Sequence, residues 1–301
     1  MKYAHILLAV TEERWAIEPS KMQAILDFLT DQASGVKYSA EEIEARLTQK
    51  AEKEVARRDG QVAILPLRGV IANRMSMMDD ISGGTSSEGF GKAFQSALRD
   101  DAVKAIILDV DSPGGAVSGT DELSSMIHGA RGQKPIIAQV NAKAASAAYW
   151  IASAADEIVV TPTGSVGSIG VLGLHTDQSG ALEQAGIKKT IISAGKYKAD
   201  MNPYQPLDEG ALARAQASVN AAYDMFVRAV ARNRGVNLSA VRDGFGEGDM
   251  VDAEPAVSMG MADRVGTLED TLNRFGASQY GAPQSKRRAF AIEREKRALT
   301  L

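Results

Sequence analysis

From Gln61 to about Phe275 the chain alternates short apolar runs with stretches of helix-like spacing, and this rhythm limits the fold more than any other feature. V-A-I-L-P-L (62–67), V-K-A-I-I-L-D-V (103–110), P-I-I-A-Q-V (135–140) and E-I-V-V (157–160) read as strands, as do S-I-G-V-L-G-L (168–174) and K-T-I-I-S (189–193). Gly89 to Leu98, Asp121 to Arg131, Ser146 to Ala155 and Gln178 to Ala185 read as the helices between them, and Glu209 to Arg234 as one long amphipathic helix. Strands that recur with helices between them predict an α/β layer architecture.

The flanks differ. Pro19 to Gly35 and Ser39 to Asp59 both carry helical spacing, and the second is dense in charges of both signs, the mark of a solvated face. The chain is therefore expected to divide into a helical appendage (1–60), a main domain (61–276) and a basic tail (277–301). Met75 to Ser87, rich in Gly, Ser and Met, is expected to be a loop beside the first strand of the main domain, placed to cover a cleft.

Composition excludes several chemistries. With no cysteine among 301 residues there is no thiolate nucleophile, disulfide or Cys-ligated zinc. Three histidines, His5, His128 and His175, show no paired metal spacing, so neither a metal nor another cofactor is expected. A net charge of -4 argues against binding nucleic acid through bulk charge. No apolar run approaches the roughly 20 residues of a membrane span, and the short apolar start lacks a cleavage site, so a soluble cytoplasmic protein is expected.

Four features fall at the ends of successive strands, where α/β folds place ligands. Asp109 to Gly115, D-V-D-S-P-G-G, ends in a glycine pair whose N–H groups are free to face an oxyanion, though a tight turn needs the same glycines. In Asn141 to Ile151, N-A-K-A-A-S-A-A-Y-W-I, a single serine, Ser146, stands among alanines at a strand-to-helix junction. Such a hydroxyl attacks only when a neighbouring base takes its proton. His175 is a weak candidate for that base, since nothing around it resembles a Ser-His-Asp arrangement. A desolvated lysine can also serve, and Lys143, Lys196 and Lys198 are the rivals, the last two within S-A-G-K-Y-K-A-D-M-N-P (193–203). Ser193 and Lys196 also form a short S-x-x-K pattern. Finally, T-G-S-V-G-S-I-G-V (163–171) offers Ser165 or Ser168 to orient a lysine, or is simply a glycine-rich turn.

In this order and spacing, D-S-P-G-G, A-S-A-A-Y-W-I-A-S-A-A-D-E-I, G-S-V-G-S-I-G-V and G-K-Y-K-A-D-M-N-P resemble the signal peptide peptidase A (protease IV) family of serine peptidases, over approximately Val62 to Phe275. Within it, Y-A-H-I-L-L-A-V-T-E-E-R-W-A-I and K-A-D-M-N-P-Y are most similar to the head maturation, or capsid assembly, proteases of tailed phages and prophages. The resemblance implies a crotonase-like or Clp-protease-like spiral of βα units, usually assembled as homo-oligomers. It implies Ser146 as nucleophile, Lys198 as general base and Ser168 as the hydroxyl that orients the lysine. Gly114 and Gly115 match the oxyanion segment, with the N–H of Ala147 as a second donor. Where that family more often has glycines after its nucleophile, this chain has Ala147 and Ala148. Capsid and scaffold proteins would be the substrates, in the host cytoplasm or the prohead. An acyl-CoA-binding enzyme of the crotonase type, or a noncatalytic assembly scaffold, are the alternatives.

Overall fold

The computed structural model describes residues 13–33, 57–74 and 84–278. In chain order its strands are β1 (Trp15–Ile17), β2 (Arg57–Asp59), β3 (Val62–Arg68), β4 (Ile71–Ala72), β5 (Thr85–Ser86) and β6 (Ala105–Ser112). They continue as β7 (Gly114–Ala116), β8 (Ile136–Ala145), β9 (Glu157–Val160), β10 (Ser165–Gly167), β11 (Met250–Asp252) and β12 (Arg264–Val265). The larger sheet runs β11-β10-β8-β6-β3-β2, with β9 branching from β8 and β12 pairing with β9. β3, β6, β8 and β9 are mutually parallel, and helices Ser87–Arg99, Thr120–Gly129 and Ala147–Ala152 connect them, as the alternating pattern predicts. Parallel strands covered on both faces read as unbroken apolar runs, and Ala105–Val110 is buried throughout.

β8 is the strand that builds the site. Its first half, Ile137–Val140, pairs with β9 and its second half, Lys143–Ala145, with β10, so the sheet splits along this one strand just before Ser146. The helix that follows, Ala147–Ala152, is completely buried, and small residues are what let it pack so closely. Trp150 stacks on Phe226 of helix Glu209–Arg234, their centroids 4.5 Å apart. Asn233 of the same helix donates to Ser124 Oγ and Ser153 Oγ, and both hydroxyls donate to the Trp150 carbonyl. Arg131 donates to the carbonyls of Ser153, Ala154 and Ala155, where a helix C-terminus favours positive charge. The long helix starts on an Asp208 cap and ends at Gly235 with φ +66°, the bounds its periodicity predicts.

Several sequence expectations give way. Helix Pro19–Ala33 forms, but Arg57–Asp59, expected to end a second helix, is a strand that hairpins onto β3 through Gly60 at φ +57°. Residues 34–56 lie outside the described residues, as do His5, most of the Met75–Ser87 loop and the tail beyond 278. The strand expected over 168–174 is displaced to Ser165–Gly167, because Ser168 at φ +52° breaks the extended run. K-T-I-I-S (189–193) is exposed and pairs with no strand among the described residues, none of which buries its apolar side chains. A small second sheet, β1-β7-β4-β5, joins residues 15–17 to the glycine segment, a pairing too short to read from periodicity.

Candidate active site

Ser146 has φ 54° and ψ -116°, a conformation that costs a non-glycine residue about 1–3 kcal/mol. The corner is held from several sides. The Ser146 N–H donates to the Gly167 carbonyl at 2.7 Å, and its hydroxyl donates to the Gly170 carbonyl at 3.3 Å. The loop 163–171 therefore grips the serine through backbone oxygens, a role that side-chain reasoning about Ser165 and Ser168 misses. Ser146 is only 1% exposed. Its side chain caps no amide of the following helix, whose first N–H groups have no intrahelical partners. The Ala147 N–H is one of them.

Gly114 and Gly115 lie against this corner. A Cβ on Gly114 would stand 2.9 Å from the Ala145 carbonyl and 3.0 Å from Ser146 Cβ, and its φ is +97°. On Gly115 it would stand 1.9 Å from the Ile71 carbonyl. Both positions admit only glycine. Ser112 ties the turn down by donating to the Gly69 carbonyl at 2.6 Å and accepting the Gly114 N–H at 3.1 Å. Asp109 lies fully buried behind it and accepts from Arg68 and Asn141.

The bases sort themselves by position. His175 is bonded to the Asn202 carbonyl. Lys143 pairs with Glu18 at 2.9 Å. Lys196 lies over the Tyr197 ring, 5.0 Å from its centroid. Lys198 is exposed, and its amine makes no hydrogen bond or ion pair with the described residues. Its turn is nonetheless anchored: Tyr197 packs under Arg214 of the long helix, and Arg214 pairs with Asp200. Within one chain, then, the serine, the glycine pair and loop 163–171 come together, while Lys198 is bonded to none of them. Ser168 is 6% exposed, its N–H donates to the Asp249 carbonyl, and its hydroxyl has no partner among the described residues. No group of histidines and acids among the described residues could hold a metal ion, and no described helix is long and apolar enough to cross a membrane.

A parallel α/β sheet with a strained serine at a strand-to-helix corner beside a glycine turn defines the class, and the sequence pattern of peptidase family S49 matches residues 129–279. The chain belongs to that family. It is 33% identical over 250 residues to the capsid assembly protease C of Escherichia phage lambda, covering 81% of this chain and 56% of that protein. It is 34% identical over 212 residues to the head-tail preconnector protein GP5 of Enterobacteria phage P21, covering 70% of this chain and 42% of that protein. A putative signal peptide peptidase SppA of Enterococcus faecium is 34% identical over 178 residues, 58% of this chain and 51% of that protein. The chain thus spans about half the length of these curated relatives. Among solved structures, a membrane-bound stomatin-specific protease in complex with a substrate peptide aligns at 17% identity and a TM-score of 0.45, over 71% of this chain and 80% of that one.

Proposed function

We propose that this chain is a serine endopeptidase in which Ser146 is the nucleophile and Lys198 the general base. The observation that carries the reading is the strained Ser146 corner packed against a turn that admits only Gly114 and Gly115. Uncharged Lys198 removes the Ser146 proton as Oγ attacks a peptide carbonyl. The Gly115 amide, with that of Ala147, holds the resulting oxyanion, while the Gly114 N–H stays with Ser112 Oγ and fixes the turn. Lys198 then protonates the leaving amine, and water, deprotonated by the same lysine, hydrolyses the acyl-enzyme. Ser168 would orient the amine.

Lys198 makes no hydrogen bond with Ser146 in its own chain, whose hydroxyl is bonded to the Gly170 carbonyl, so the base is taken to come from a second copy. Support comes from the surface next to it: Ile187, Ile191 and Ile192 are exposed, the last 96%, on a segment with strand-forming sequence and no strand partner among the described residues. A homo-oligomer that covers these residues would also remove water from the amine and so favour its uncharged form. The phage relatives point to capsid and scaffold proteins as substrates, during head maturation in the host cytoplasm or prohead. The division at residues 60 and 276 into an N-terminal unit, a peptidase unit and a basic tail belongs to the same reading.

An active-site-directed fluorophosphonate followed by peptide mapping tests it. Labelling of Ser146 that is lost in Lys198→Ala and kept in Lys196→Ala is the expected result. A folded protein that takes no label would overturn it.

A further inference from the structure

β1 is not a distant appendage to this site. It lies antiparallel along the glycine segment, with Trp15 opposite Ala116, Ala16 opposite Gly115 and Ile17 opposite Gly114. The Val117 N–H donates to the Arg14 carbonyl at 2.9 Å, and the Glu18 N–H to the Pro113 carbonyl at 2.9 Å. On its other edge, Trp15 exchanges two backbone bonds with Leu172, at 3.0 and 2.8 Å. The segment is thus an extended peptide held between two backbone walls, the way an added strand is recognised through its main chain.

Its position relative to the serine is close. The point where a Gly114 Cβ would sit is 2.3 Å from the Ala16 carbonyl oxygen and 3.0 Å from Ser146 Cβ. A peptide carbonyl of the chain itself therefore lies beside the proposed oxyanion segment and nucleophile. We propose that residues Arg14–Glu18 are a built-in occupant of the peptide groove, a pseudosubstrate strand that a polypeptide substrate must displace. This rests on the peptidase reading of Ser146 and adds a regulation to it.

The strand's packing suits an occupant that can leave. Trp15 and Ile17 face a small cluster with Met22, Ile25, Phe28 and Val70, separate from the main core, and only Ala16 reaches the main one. The strand and helix Pro19–Ala33 can therefore lift away together from the edge of the small sheet without opening the larger one. Glu18 is clamped by Lys143, three residues before Ser146, so the occupant is also tied to the strand that carries the nucleophile. The alternation further specifies what displaces it: an extended segment with a small residue, at the place of Ala16, between two bulky apolar ones.

The natural absence of cysteine allows a clean test on the full chain. Ser118 Oγ donates to Glu13 Oε1 at 3.0 Å at the open end of the strand, so Glu13→Cys with Ser118→Cys brings two thiols together on the surface. Hydrolysis of unfolded casein and fluorophosphonate labelling of Ser146 are measured on the same protein, oxidised and then reduced, with the disulfide confirmed by mass. Casein hydrolysis at least tenfold slower when oxidised and restored by reductant, with Ser146 labelled in the reduced form, supports the proposal. Equal hydrolysis in both states with Ser146 labelled overturns it and leaves the peptidase intact. No label even after reduction overturns the peptidase reading, and this inference with it.

Discussion

The Ser146 corner and the Lys198 turn carry the two halves of one proposed chemistry, and they are built in opposite ways. Around the serine every residue of helix Ala147–Ala152 is buried and the glycine turn has no room for a methyl group. Around the lysine, residues 186–198 are exposed and form no strand. A prepaid, rigid half and an unfinished half imply that the first is set by folding and the second by association.

The largest effects should come from the two reacting groups themselves. Ser146→Ala and Lys198→Ala should each lower peptide hydrolysis by about 10⁴-fold or more. Lys198→Ala should leave the melting temperature unchanged, because its amine makes no hydrogen bond or ion pair among the described residues. A marked loss of stability in that variant would break the contrast.

Next in size, Gly115→Ala should cost about 1–3 kcal/mol of stability, read by denaturant unfolding, together with nearly all activity, because its methyl meets the Ile71 carbonyl. Ile192→Asp should do the reverse. Unfolding of the isolated chain stays the same, while sedimentation shows weaker self-association and hydrolysis falls in proportion.

The smallest effect concerns acid stability of the buried half. Burial alone would raise the Asp263 carboxyl, but the Arg234 guanidinium and the Ile158 N–H outweigh it and hold it below the ordinary carboxylate value. Such a group contributes stability that is complete above its unfolded value and is lost as pH falls through the folded one. Asp263→Asn should lower neutral-pH stability by on the order of 1 kcal/mol, a discounted figure because the carboxylate is 38% exposed. Its melting temperature should also fall less than the parent's between neutral and acid pH. A parallel decline in both proteins would remove Asp263 from the account.

How much of this was legible in the sequence follows the same contrast. The buried runs at 62–67, 103–110 and 157–160, the long helix, and the Ser146 junction are readable because burial on both faces and capping leave strong local signals. The lysine segment misled: K-T-I-I-S has the side chains of a strand, but pairing depends on a neighbour that the described residues do not supply. The short strand Trp15–Ile17 was invisible because three residues carry no period, and its partner lies about a hundred residues away. The hold of Gly167 and Gly170 on Ser146 was missed for another reason, since carbonyl contacts leave no side-chain signature.

The claim that the serine and the lysine form one site across two copies has a direct test. Ser146→Ala chains and Lys198→Ala chains, each inactive alone, are unfolded and refolded together in equal amounts, and peptide hydrolysis is measured. The account expects activity to return to about a quarter of the parent rate, the share of sites that random pairing fills with both intact groups. A mixture as inactive as its components would contradict it.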